Sequence, residues 1–202
     1  MKRLIVYASL FVSITTNISC NNSDTDSKKH ADKVNDAKID SAKKADTTTT
    51  AASAMADMKP DAEFAAAAAD GGMLEVQLGK LATEKGVSSY VKKLGALMVK
   101  DHSKANEELK TLAKEKNITL PEILSEKCQK TLRDLTEKKG VDFDKAYADL
   151  MVSDHKEDID DFKKESEKGN DTQLSAWAKN KIPVLEHHLL MAEQAKNMTA
   201  KK

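Results

Sequence analysis

The chain has 202 residues, in which 33 Lys and Arg balance 33 Asp and Glu, with 40% hydrophobic and 4% aromatic residues. Without a basic excess, clustered arginines or an aromatic platform, the footprint of a nucleic-acid binder is missing. Nor does the sequence hold a Gly-rich phosphate loop, an HExxH or a GxSxG, the motifs that would announce a nucleotide enzyme or a common hydrolase.

The first segment, "MKRLIVYASLFVSITTNISC", places Lys2 and Arg3 before an apolar run from Leu4 to Ile14. That run is too short to span a bilayer and reads as a secretion signal, residues 1–19. The small polar stretch after it ends at Cys20, followed by the hydrophilic "NNSDTDSKK". This order resembles a bacterial lipoprotein signal, with Cys20 lipidated as the mature N-terminus and the membrane as partner. Asn17 stands where that motif prefers an apolar residue, so an ordinary signal peptide leaving a free thiol is the rival reading. Asn21, in place of the Asp that resembles an inner-membrane retention signal, favours an outer-membrane address facing the periplasm. Cys128 is the only other cysteine, and a lipidated Cys20 cannot pair with it. Cys128 shares an apolar stripe with Leu124, Leu132 and Leu135, which predicts a buried thiol.

Residues 20–59 are rich in Ser, Thr, Asp, Lys and Ala and offer almost nothing large to bury. They read as a flexible tether with a reach of about 35 Å. A weak helical spacing, Ala31, Val34, Lys38, Ala42 and Ala45, runs through its middle.

Residues 60–202 are long enough for one domain with a real core. Apolar residues recur at helical spacing: Leu74, Leu78, Leu81; Val91, Leu94, Met98, Leu109; Tyr147, Met151, Phe162; Leu174, Leu185, Leu189, Ala192. No alternating strand pattern competes. Helices are predicted over 61–84, 88–116, 122–138, 142–167 and 171–197. The breaks fall at Gly86, Pro121, Gly140 and Gly169, with Ser88, Asp142 and Asp171 as caps. Gly71 and Gly72 lie inside the first of these helices, where they would allow close packing, and Pro183 should bend the last. Four long helices and one short one predict an all-α antiparallel bundle.

Two stretches repeat a pattern: "LMVKDHSKA" from Leu97 and "LMVSDHKED" from Leu150. On a helical wheel His102 falls about 40° from Met98, inside the apolar stripe, with Asp101 at its edge. His155 stands in the same relation to Met151, with Asp158 alongside. In the last helix His188 borders the stripe and His187 faces away. Glu75 flanks the stripe of Leu74, Leu78 and Leu81. All four lie near the middles of their helices, which meet at one height in an antiparallel bundle. Glu75, His102, His155 and His188 are therefore expected to form one polar layer, with Asp101, Asp154 and Asp158 as supporting partners or extra ligands. One reading makes the layer a hydrogen-bonded packing device that fixes register. The other makes it a site for a divalent metal, because imidazole and carboxylate suit Zn, Cu, Fe or Mn. No histidine has a Glu three residues before it, so the ExxH signature of di-iron bundles is absent.

The blocks "FAAAAADGGMLEVQLGKLA", "LMVKDHSKANEELKTLA", "FDKAYADLMVSDHKEDIDDFKKES" and "IPVLEHHLLMA" resemble, in order and spacing, the family known as domain of unknown function 4142. The resemblance covers about residues 60–196 and matches the family blocks at Glu75, Asp101, His102, Asp154, His155 and His188. It implies a ferritin-like helical bundle, secreted or lipid-anchored in bacteria, without an established activity. The expectation is thus a cell-envelope lipoprotein acting as a non-catalytic binding or structural protein. The alternative is a metal-binding or metal-dependent redox protein that uses the histidine layer.

Overall fold

The computed structural model describes residues 26–44 and 57–200. The signal segment and Cys20 lie outside them. The described residues form six helices and no strand: α1 (Ser27–Lys44), α2 (Lys59–Lys85), α3 (Ser89–Glu115), α4 (Glu126–Thr136), α5 (Gly140–Lys168) and α6 (Thr172–Ala200). Four of these bounds match the expected helices closely, because the stop signals sit where the apolar stripes end. The short helix is shorter than its 122–138 spacing suggests, since Ser125 caps α4 by accepting from the Cys128 N–H at 3.2 Å. Ser88 caps α3, and Asp171 caps α6 by accepting from the N–H groups of Gln173 and Leu174. Asp142 does not cap α5; Lys139 takes the N-cap position, and Asp142 lies in the first turn. The last helix continues through Pro183.

The apolar core divides into two clusters stacked along the bundle. One gathers Leu78, Leu94, Met98, Phe143, Tyr147, Met151 and Ala192, and the other gathers Ala65, Leu109, Phe162, Leu174, Trp177 and Leu185. Along α2 and α6 the chain passes from the second cluster to the first, and along α3 and α5 from the first to the second. Neighbours α2/α3, α5/α6 and α3/α6 therefore run antiparallel, while α3 and α5 run parallel. Parallel helices need a crossover, and residues 116–139, including α4, supply it. Three buried aspartates hold the connections in place. Asp144 accepts from the N–H groups of Val87 and Ser88, Asp70 from Ser125 N–H and the Cys128 thiol, and Asp61 from Asp171 N–H. Charged acceptors on backbone N–H groups make strong hydrogen bonds, which explains why these carboxylates tolerate burial.

The tether expectation is corrected over residues 27–44. There α1 packs on α2 and buries Ala31, Asn35 and Ile39, one residue per turn. Asn35 accepts from Thr119 N–H at 2.7 Å and donates to Thr119 O at 2.9 Å, pairing with the crossover as another backbone would. The Ser27 hydroxyl and Asp26 carboxylate accept from the N–H groups of Glu122 and Glu126. Polar contacts to distant residues, rather than an apolar stripe, hold this helix, so composition alone could not reveal it. Gly71 also departs from expectation, because a Cβ there would meet nothing within 4 Å. Gly72 meets the expectation, since a Cβ there would run into the Asn106 side chain of α3, and the closest approach of the two backbones lies at Gly79 and Gly95.

Candidate metal centre

Between the two apolar clusters each long helix contributes one polar side chain: Glu75 from α2, His102 from α3, His155 from α5 and His188 from α6. All four are buried, with His155 and His188 wholly so. The three imidazole centroids form a near-equilateral triangle with sides of 5.1, 5.3 and 5.7 Å. Each ring offers a nitrogen within 4.8 Å of the others. His187 is exposed, as its wheel position requires.

The hydrogen bonds define the proton on two of the rings. His155 Nδ1 lies 3.0 Å from Met151 O, which can only accept, so that nitrogen carries the proton. His188 Nε2 lies 3.1 Å from Asp101 Oδ2 and donates to it. Burial drives all three imidazoles towards the neutral form: His102 to about 4, His155 to about 3 and His188 to about 4. A neutral ring has one N–H. His155 Nε2 and His188 Nδ1 consequently face each other at 3.2 Å as two lone pairs with no proton between them. His102 Nδ1 lies 2.8 Å from Glu75 Oε2, and its Nε2 is buried without any hydrogen-bond partner. His155 and His188 thus spend one nitrogen on a carbonyl or carboxylate and turn the other towards each other. That is how metal-ligating histidines are oriented. Two nitrogens on one tetrahedral ion at about 2.05 Å would stand about 3.3 Å apart, close to the observed 3.2 Å.

The acids complete the layer. Glu75 Oε1 has no hydrogen bond, although His155 Nδ1 lies 3.5 Å away. Burial first, and then the charge of Asp154, holds the Glu75 carboxyl well above its ordinary range. Asp154 and Asp158, one turn apart on α5, stand with Glu75 in a second group whose oxygens lie within 4.8 Å of one another. Burial raises both, and Asp158 also feels Glu75 and Asp154. Asp101 alone among the expected supporting aspartates bonds a histidine; Asp154 and Asp158 gather about Glu75 instead. A cavity of about 160 Å³ opens onto Glu75, His102, His188 and Asp158, walled by Phe162, Trp177 and Leu185. Its rim carries Lys181, which pairs with Glu108, and Trp177 Nε1 donates to the same carboxylate at 3.3 Å.

The family described as domain of unknown function (DUF4142) matches residues 44–195. The chain belongs to this family. No curated protein and no solved structure matches it. The match begins at the last residue of α1, so the family domain holds the four long helices and α4, and most of α1 lies ahead of it.

The polar residues expected in the layer are thus brought together, but two participants escaped sequence reasoning. The Met151 carbonyl sets the His155 tautomer, and its position four residues before His155 on one helix could have suggested the contact. Tyr147, whose buried hydroxyl has no partner, is pushed up by burial and by Glu75 nearby. An aromatic at core spacing reads as packing, and nothing in the pattern marks its hydroxyl.

Proposed function

We propose that this DUF4142 domain is a divalent-metal-binding bundle, with His102, His155 and His188 as imidazole ligands and Glu75 as the carboxylate set against the His102 ring. The observation that carries the reading is the facing pair of unprotonated nitrogens, His155 Nε2 and His188 Nδ1, beside the orphaned His102 Nε2. A cation accepts the two facing lone pairs at once and gives His102 Nε2 a partner, whereas a buried layer without one leaves the first two opposed and the third nitrogen unpaired. Asp101 and Met151 O hold the ligand rings by their N–H groups. The crossover between parallel helices, one per bundle, supports a ferritin-like topology. The cavity gives a small molecule a path to the ion, so a redox role at an open coordination position is the extended form of this reading.

Metal that binds only the folded state raises the melting temperature. At 100 times its dissociation constant the gain is about 2.7 kcal/mol, or about 5 to 10 °C for a domain this size. Thermal melts with Zn²⁺, Mn²⁺, Fe²⁺ and Cu²⁺ test this on the wild type and on the His102→Gln, His155→Gln double variant. The double variant should fold but lose the shift. If no metal moves the wild-type melt, or the variant keeps the shift, the layer is a packing device.

Lipid anchoring in the cell envelope, facing the periplasm, is the second part of the proposal. Its support is the signal-like segment and Cys20. Among the described residues no helix is long and apolar enough to cross a membrane. Cys20→Ala should therefore release the protein from the membrane fraction, and unchanged partitioning would defeat the assignment.

A further inference from the structure

Helix α1 and the crossover of residues 116–139 lie side by side on the outer side of α2. Hydrogen bonds from Asp26, Ser27, Asn35 and Lys38 join the two. The charge of this face differs from that of the rest. Residues 26–44 and 116–139 hold 12 Lys and Arg against 8 Asp and Glu, whereas residues 57–115 and 140–200 hold 17 against 23. A chain that is neutral as a whole is thus basic on one face and acidic elsewhere. Lys29, Lys43, Lys127, Arg133 and Lys139 are exposed on the basic face. Ile123, 59% exposed, stands on the loop that Ser27 holds through the N–H groups of Glu122 and Ile123. Lysines around an exposed branched apolar side chain suit a surface that meets lipid headgroups.

We infer that this face, α1 with the crossover, docks on an anionic lipid surface and lays the bundle on its side against the membrane that holds Cys20. The inference rests on the lipid-anchored reading of Cys20 proposed above, to which it adds the orientation and the lipid chemistry. Covalent reach decides the orientation. Six residue steps separate Cys20 from Asp26, and at about 3.6 Å each the chain between them spans at most about 22 Å. Asp26 sits near the mid-height of the bundle: it accepts from Glu126 N–H, next to Ser125, whose own N–H meets Asp70 in the middle of α2. The 27 residues of α2 measure about 40 Å, so each end of the bundle lies about 20 Å from Asp26. Standing the bundle on either end would consume the whole reach. Laying it on α6, diagonal to α2, would take the chain around two helix diameters of about 10 Å each and exceed it. Only the α1 side leaves slack. Charge favours the same side, because anionic headgroups attract Lys and Arg within about a Debye length, roughly 8 Å at physiological salt. The rim of the histidine cavity, with Lys104 on α3 and Lys181 on α6, then lies off the docked face and stays open to water.

The test uses the full lipidated chain in vesicles of phosphatidylcholine, with and without phosphatidylglycerol, and a fluorophore on one introduced thiol. A lipidated Cys20 and a buried Cys128 leave that thiol as the one that takes the label. Ile123→Cys puts the label on the docked face, and Leu190→Cys puts it on the exposed side of α6. Spin-labelled lipid should quench the first label severalfold more than the second when phosphatidylglycerol is present. The Lys29→Glu, Lys127→Glu double variant should remove the difference, as should salt at about 1 M, where the Debye length is about 3 Å. Both lysines are exposed, and an unchanged thermal melt checks that the variant is folded. Equal quenching at the two positions, on protein that floats with the vesicles, overturns the docked face and leaves the lipid anchor standing. Protein that does not float with the vesicles overturns the anchor and this inference with it. A difference that survives the charge reversal, or is as large without phosphatidylglycerol, overturns the attraction to anionic lipid.

Discussion

The close crossing of α2 and α3 places Glu75 beside His102, and it depends on two glycines. A Cβ added to Gly79 would lie 2.7 Å from Gly95 O and 3.0 Å from Val99 Cγ2; one added to Gly95 would lie 2.7 Å from Gly79 O and 2.8 Å from Ala82 Cβ. The nearest obstacle in both cases is the backbone of the opposite helix, which cannot rotate away as a side chain could. Gly79→Ala gains about 1 kcal/mol of helix propensity. Against that, overpacking a core costs about 1 to 3 kcal/mol, and a backbone obstacle argues for the upper end. The net expectation is a loss of about 1 to 2 kcal/mol. Gly71→Ala is the matched control: nothing lies within 4 Å of the added methyl, so it should gain about 0.5 to 1 kcal/mol. Urea denaturation measures both, with the slope unchanged if only stability moves. Gly79 lies one turn from Glu75 and Gly95 two turns from His102, so Gly79→Ala should also shrink any metal-dependent melt shift. Gly79→Ala protein as stable as the wild type would refute the crossing as the constraint.

Three other regions give further outcomes. Burial first, and then the Asp61 carboxylate, raises the Glu165 carboxyl to about 8; Asp171, itself paired with Lys116 at 2.7 Å, adds to this and Lys164 opposes it. Between its ordinary value of 4.5 and 8 the folded state holds this proton more tightly than the unfolded chain. Its contribution is therefore full below pH 4.5 and lost as pH rises towards 8, and Glu165→Gln should flatten that part of the stability profile measured by denaturant titration. An unchanged profile would refute the assignment. Cys128 is driven up to about 12 by burial and donates its S–H to Asp70 at 3.1 Å. Its peptide should resist iodoacetamide in the native protein and react on unfolding, as followed by mass spectrometry; fast native labelling would contradict this. Asn35→Ala leaves the N–H and C=O of Thr119 without their side-chain partner, a loss of about 1 to 3 kcal/mol to α1 docking. Limited proteolysis should then cut within 26–44, which the wild type protects.

How far the sequence foretold this structure differs from element to element. The four long helices were readable because each carries an apolar stripe closed by Gly or a polar cap, and these local signals agree with the tertiary result. The histidine layer was readable as well, since wheel angle and mid-helix height are both local quantities. What decides the chemistry was not. The Asp101 carboxylate that meets His188 lies on a different helix, and the opposed lone pairs exist only once α5 and α6 pack. Helix α1 was read as tether because its buried face is Ala31, Asn35 and Ile39, with one large apolar residue, and its partners lie at Thr119 and Glu122. Gly79 and Gly95 carry no mark that distinguishes them from Gly71, whose surroundings are open.

The metal reading is tested most directly by X-ray absorption on the full chain loaded with one equivalent of Zn²⁺. Imidazole rings produce a characteristic outer-shell scattering that carboxylates and water do not. The expected result is about three imidazoles, with nitrogens at about 2.0 to 2.1 Å, and two fewer imidazoles in the His102→Gln, His155→Gln variant. A zinc shell of oxygens alone, or the same imidazole count in that variant, would contradict a site built on His102, His155 and His188.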